Sequence, residues 1–191
     1  DNTLVIFTSD NGGQGGAWLR MTDFFQGNGP LRGHKGAFLE GGIRVPMIAR
    51  WPGKIKPGTT TDHQTAFWDF LPTAADIAGV EIKHEIDGIS YLPTLLGKPD
   101  EQQQHEYLYW SYPRGKSLEV AVRWGDWKAV QARRGGEFEL YDLSWDIGES
   151  TNVADAHPDV IAKIKQFAAR EESPEREYPP AKAEPVEMFV K

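Results

Sequence analysis

The sequence predicts an α/β protein in two parts. A sheet with helices runs to about residue 105, and a small antiparallel sheet packed with a C-terminal helix follows. Three observations predict this arrangement. Short apolar runs alternate with helix-spaced stretches before residue 105, strand-length segments rich in Tyr, Trp, Phe and Val crowd residues 107–141, and an amphipathic stretch closes the pattern. The polar run GKPDEQQQHE separates them, so the expected domains are 1–105 and 106–191.

The elements follow in order. Residues 3–9 are short and apolar and end in turn chemistry, which predicts a fully buried strand. Residues 12–37 are rich in glycine and predict a long loop, of a length that in compact domains is usually functional or disordered. A second apolar strand is expected near 44–50, closed by Pro52 and Gly53. From Gln64 to Ala78, Phe67, Leu71, Ala75 and Ala78 share one helical stripe that stops at Gly79. Pro72 is expected to divide this stretch, with the helix starting near 72. DGISYLPTLLG predicts a short, partly helical piece. Strands are expected at 107–111, 119–124, 127–132 and 138–141, with RWGDWK as a hairpin. HPDVIAKIKQFAAREE predicts an amphipathic helix with Val160, Ile161, Ile164, Phe167 and Ala168 on its apolar side, followed by a Pro- and charge-rich tail.

Composition excludes several classes of function. The 28 acidic and 21 basic residues give −7, which argues against general nucleic-acid binding. No apolar run approaches the ~18 residues a membrane span needs. Cysteine is absent, so disulfides, thiolate metal sites and a cysteine nucleophile are excluded within this chain. The chain opens on DNTLVIF without an initiator Met or signal peptide, which predicts a processed chain or a fragment cut just before a core strand.

The chemistry gathers around two motifs. In LVIFTSDNGG an apolar strand runs out into Asp10 and Asn11, and Gly12-Gly13 allow the backbone turn that aims both at one point. In an open parallel sheet, ligands collect at such strand ends. A carboxylate beside a carboxamide suits Ca²⁺ or Mg²⁺, although Asp-Asn-Gly is also an ordinary turn. In LRGHKGAFLEGGIRVP, Lys35 stands among glycines that let its ammonium approach a phosphate or sulfate closely, or leave it simply solvated. Glu40 and Arg44, four apart, suggest a structural ion pair that pins the loop. His34 is either a donor to the substrate or an exposed loop histidine. Trp18, Arg20 and Phe24-Phe25 either meet a sugar or aryl group or build the loop's own small core. Asp69 is expected to bond backbone at a helix start. His63, His84, His105 and His157 are expected at the surface. Trp110, Trp124, Trp127 and Trp145 are expected in a core or interface.

TSDNG, LRGHKGAFLEGGIRVPMIARWPGKI, DFLPTAADIAG and DGISYLPTLLG, with FELYDLSWDIGESTNVA and a closing helix, occur in that order. Together they resemble the C-terminal half of a type I, arylsulfatase-like sulfatase of the alkaline-phosphatase-like superfamily. The resemblance runs from about residue 3 to 170. It implies hydrolysis of sulfuric esters, Asp10 and Asn11 as the later pair of Ca²⁺ ligands, and Lys35 as the sulfate-binding lysine. It also implies a formylglycine nucleophile made from a Cys/Ser-x-Pro-Ser/Ala-Arg signature upstream of the Asp-Asn pair. That signature is absent here. ESPER places Glu172 at the nucleophile position, SYPRG brings Arg114 one residue early, and both follow the pair instead of preceding it.

The expectation is therefore half a site. Two or three oxygens of the ~6–8 that Ca²⁺ prefers give weak binding at best, and the chain alone is expected to be inactive. The expected partners are a sulfated small molecule or glycan, and either another copy or the missing N-terminal half, docked on an exposed apolar sheet edge or face. The resemblance further implies a periplasmic or secreted protein. Two alternatives remain open: a fragment of a phosphodiesterase or phosphonate hydrolase of the same superfamily, and a non-catalytic binding or assembly module.

Overall fold

A computed structural model describes residues 2–15, 22, 24–114 and 117–171. Strand β1 (Val5–Thr8) pairs antiparallel with β2 (Met47–Arg50), and Val5 lies opposite Arg50 and Thr8 opposite Met47. Both strands form where expected, but β1 is not buried. Val5 is 50% exposed and Phe7 66%, because β2 is its one partner among the described residues and the face carrying Val5, Phe7 and Ile48 is left open, while Ile6 and Ala49 opposite are half-buried. The described neighbour of β1 is antiparallel, as a mixed sheet allows.

The helical stretch divides as expected, with the helix starting two residues earlier than expected. A 3-10 turn spans Phe67–Asp69, and helix α2 spans Phe70–Ala78. Pro72 sits inside its first turn, where a missing N–H forfeits no intrahelical bond, so the helix runs through it. Gly79 ends the helix in the left-handed conformation. A further turn, α3 (Leu92–Leu95), follows.

The second part is an antiparallel meander of β3 (Leu108–Arg114), β4 (Ser117–Trp124), β5 (Trp127–Gln131) and β6 (Glu139–Asp142). The predicted hairpin closes with Trp124 opposite Trp127 around Gly125-Asp126. Helix α4 (Pro158–Arg170) packs on this sheet. Pro158 starts it, Asp159 occupies the first turn and Arg170 the last, each sign matching the helix dipole. Val160, Ile164 and Phe167 return every three or four residues to one face, which meets Val120, Val122, Ala129, Phe138 and Leu140 from the sheet. Full burial of such side chains contributes about 1.5–3 kcal/mol each for the larger ones. Trp124 and Trp127 pack against this core and Trp110 lies beside Trp68, but Trp145 is 62% exposed.

Asp69 ties the helical segment to residues 89 and 105, at the end of the first part. Its Oδ2 accepts the Ala66 N–H (2.7 Å) and the Thr65 hydroxyl (2.9 Å), and its Oδ1 accepts the Ile89 N–H (2.9 Å). His105 Nε2 lies 2.9 Å from the same Oδ1. His105 is thus no surface residue: its side chain is 12% exposed, packed where the seam segment meets α2. Burial opposes ionisation of Asp69, but the His105 contact and the two backbone N–H groups outweigh it and hold the carboxyl below its ordinary value. The predicted tail lies outside the described residues. Among the described residues no helix is long and apolar enough to cross a membrane.

Candidate active site

The site is built on backbone pressed against backbone. The Gly12 N–H donates to Gly42 O (3.0 Å), and the Gly41 N–H donates to Arg32 O (2.7 Å). A Cβ on Gly12 would stand 1.8 Å from Gly41 O, and one on Gly42 would stand 2.1 Å from Ala37 O. No side chain fits either place, so glycine is required there by close approach. The strand end at 10–13 is thereby seated on the short helix α1 (Glu40–Ile43).

The glycine-rich loop is laced to the same point. The Lys35 N–H donates to Gly13 O (2.9 Å), the Gly13 N–H donates to Asn28 Oδ1 (2.7 Å), and Asn28 Nδ2 donates to Gly33 O (2.9 Å). These bonds bring two residues 25 positions apart into contact: the Lys35 ammonium pairs with Asp10 Oδ2. The hydrogen bond from Lys35 holds the Asp10 carboxyl below its ordinary value, and Asn11 adds to the effect. Both side chains stay open to the surface, Asp10 71% and Lys35 40% exposed. Ser9 Oγ closes the turn by donating to Asn11 O (2.8 Å). His34 lines an adjoining open cleft of about 520 Å³ with Thr22, Gln26 and Asn28. Trp18 and Arg20 lie outside the described residues.

Behind this surface lies a buried ion cluster. Arg44 Nη1 is 3.4 Å from Glu40 Oε2, but that contact is the outermost of several. Glu40 also meets Arg123 Nη1 at 3.2 Å and Lys128 Nζ at 2.8 Å. Lys128 Nζ lies 3.4 Å from Glu149 Oε1, and Glu149 Oε2 accepts the Glu40 backbone N–H at 2.7 Å. Lys128 and Glu149 are both fully buried. Burial opposes the charge on Glu40, yet Lys128, then Arg123 and Arg44, hold its carboxyl below the usual range. Burial pushes the Glu149 carboxyl up, with Lys128 and the Glu40 backbone N–H working against it and the Glu40 carboxylate with it. Sequence reasoning found Glu40 and Arg44 and missed Arg123, Lys128 and Glu149, which stand 83 to 109 positions away. A lysine inside the strand run WKAV was the one available signal.

As a cation site the surface is partial. Asp10 and Asn11 supply hard oxygen donors of the type Ca²⁺ takes, open to solvent on one side. Among the described residues no cluster of three or more His, Cys, Asp or Glu is arranged for a metal. A carboxylate and a carboxamide oxygen are of the kind Ca²⁺ takes, and they are few of the ~6–8 oxygens it prefers.

A mixed α/β fold with these two motifs at one strand end defines the alkaline-phosphatase-like class, and the solved structures it resembles agree. The crystal structure of Ps i-CgsB in complex with k-i-k-neocarrahexaose aligns with a TM-score of 0.74 and 28% identity, over 89% of this chain and 36% of that one. The phosphonate monoester hydrolase SpPMH from Silicibacter pomeroyi aligns with a TM-score of 0.58 and 25% identity, over 71% of this chain and 30% of that one. Residues 34–172 match the family described as N-sulphoglucosamine sulphohydrolase, C-terminal, and the chain belongs to this sulfatase family. Arylsulfatase A of Homo sapiens is 37% identical over 195 residues, covering 87% of this chain and 37% of the relative. A sulfatase of Formosa agariphila is 35% identical over 172 residues, covering 83% and 30%. The chain therefore spans about a third of the length of these relatives.

Proposed function

We propose that this chain supplies the cation- and oxyanion-facing side of a sulfatase active site that hydrolyses sulfuric esters. The observation that carries this reading is the contact between Lys35 and Asp10 at the strand end, held by the Gly12–Gly42 and Lys35–Gly13 backbone bonds. Lys35 is a compact positive charge suited to sulfuryl oxygens, and its exposure leaves it free to meet them. His34, at the mouth of the neighbouring cleft, donates to the ester or leaving group. Asp10 and Asn11 hold Ca²⁺ together with ligands from outside this chain. The cation, when bound, neutralises charge on the sulfuryl group and activates the nucleophile. Asp10 fixes the orientation of Lys35, and the glycine stack keeps both at the surface.

The nucleophile is a formylglycine from a part of the protein beyond these residues, and the chain alone is inactive. Coverage of about a third of each relative and the absence of a Cys/Ser-x-Pro-x-Arg signature support this. The exposed β1–β2 face, with Phe7 66% and Ile48 63% exposed, receives that remainder, or a second copy in its absence. A sulfated glycan or aryl sulfate is the substrate class, in keeping with relatives named arylsulfatase A and N-acetylgalactosamine-6-O-sulfatase. A periplasmic or secreted location follows from the same resemblance.

The likeness to a phosphonate monoester hydrolase favours one second reading, a phosphoryl or phosphonyl hydrolase of the same superfamily. Matched aryl sulfates, phosphates and phosphonates offered to the full-length protein separate the two. Sulfate release, reduced about 10²–10³-fold by Lys35→Ala, is expected if Lys35 stabilises the transferred group. Preferred phosphate or phosphonate release replaces the first reading with the second.

A further inference from the structure

We propose that Glu149 and Lys128, from the C-terminal part, are positioning residues that clamp α1 and through it hold Asp10 and Lys35 in register. This rests on the reading of Asp10 and Lys35 as the active-site pair. Three observations carry it. First, Glu149 Oε2 accepts the Glu40 backbone N–H, the opening donor of α1, at 2.7 Å, while no nearby side chain caps that helix. An unpaired buried N–H would otherwise face the interior. Second, Lys128 Nζ bridges the two carboxylates at 2.8 and 3.4 Å, and Lys128 and Glu149 are both fully buried. Losing Lys128 would leave two buried carboxylates facing each other without the cation between them. Third, Glu149 has φ of 51°, in the left-handed region that non-glycine residues avoid.

That conformation is actively held. Asp146 accepts the Ser150 N–H, the Ser150 hydroxyl and the Thr151 N–H at 2.8 to 3.0 Å, and Asp146 O accepts the Glu149 N–H at 3.1 Å. Strain kept in place by surrounding bonds is a mark of a position that the fold over-determines. The path onward is short and rigid. Glu40 is followed by Gly41 and Gly42, whose backbone touches Gly12, which follows Asn11. A shift of α1 by a few tenths of an ångström has no side chain to absorb it, so it passes directly to the strand end.

Amide hydrogen exchange on the 191-residue chain tests the clamp. The reporters are the N–H groups of Gly12, Lys35, Glu40 and Gly41, each bonded along the path; helix α4 is the internal reference. Glu149→Ala is expected to speed exchange at all four by more than about tenfold relative to α4, which one lost buried bond of ~1.4 kcal/mol corresponds to. Glu149→Gln keeps an acceptor oxygen for Glu40 and is expected to restore them to within about threefold of the parent. If Glu149→Ala does not fold, Lys128→Met takes its place with the same expectation. Uniform acceleration across the chain would mean a merely structural role, and unchanged exchange at Gly12 and Lys35 would mean no coupling; either result overturns the proposal. No sulfate or cation enters this readout. Failure of the full-length protein to release sulfate would remove the functional reading and leave the clamp standing.

Discussion

The two parts of the molecule are held together by different physics. The C-terminal part has an apolar core in which sheet residues such as Val122 and Leu140 meet Ile164 and Phe167, all four fully buried. In the first part Tyr91 is the one buried large apolar residue among those described; Glu40, Asp69, Thr73 and Gln102 are its buried polar residues. Hydrogen bonds, ion pairs and glycine contacts do there what hydrophobic burial does in the other part. The difference teaches where the function sits. The C-terminal part holds an apolar core, and the first part, on the function proposed above, presents a surface for groups supplied from outside this chain.

The largest effect comes from attacking that asymmetry directly. Phe167→Ala is expected to cost about 3–5 kcal/mol in urea unfolding, whereas Phe7→Ala on exposed β1 should stay within about 0.5 kcal/mol. Comparable costs at the two positions would mean that β1 is covered in solution, and sedimentation would then show an associated species.

Next is Gly12→Ala. Its Cβ has a carbonyl oxygen 1.8 Å away, so the strand end must lift off α1, at about 1–3 kcal/mol. The Lys35–Asp10 contact should disappear from NMR spectra while signals of the C-terminal sheet stay in place. A spectrum disturbed everywhere would erase the distinction between the two parts.

How much of this was readable beforehand divides along the same line. Periodicity in 119–131 and 157–170 gave the antiparallel sheet and α4, because apolar burial leaves a pattern of period 2 or 3.6. Asp10, Asn11 and Lys35 stood out through local motifs. Lys128 and Glu149 did not, since a buried ion cluster is assembled from distant positions and leaves no period. The burial of β1 was misjudged for a related reason: an apolar run reports what a strand needs, while its cover depends on partners that the run does not name. His105 looked polar and superficial until Asp69 was found against it.

A smaller effect concerns acid. The Asp69 carboxyl lies below its ordinary value of 3.8 in the folded state. Its contribution is therefore fully present above that value and is lost as pH falls through the lowered folded one. Asp69→Asn is expected to be less stable at neutral pH and to lose less stability between about pH 5 and about pH 2 than the parent does. Equal acid sensitivity would mean that the Asp69 carboxylate does not hold the first part together.

The smallest effect is at the surface pair. Lys35→Ala should let the Asp10 carboxyl rise towards its ordinary 3.8, read from its carboxyl carbon shift, with no change in the urea midpoint. An unchanged titration would mean that the pair is not formed in solution.

Calcium titration of the 191-residue chain and of the full-length protein tests the central claim, that this chain carries half of a site. The expected result is no saturation by the isolated chain below ~1 mM Ca²⁺, with tighter binding by the full-length protein that Asp10→Ala abolishes. Tight binding by the isolated chain, or binding by the full-length protein that survives Asp10→Ala, would contradict it.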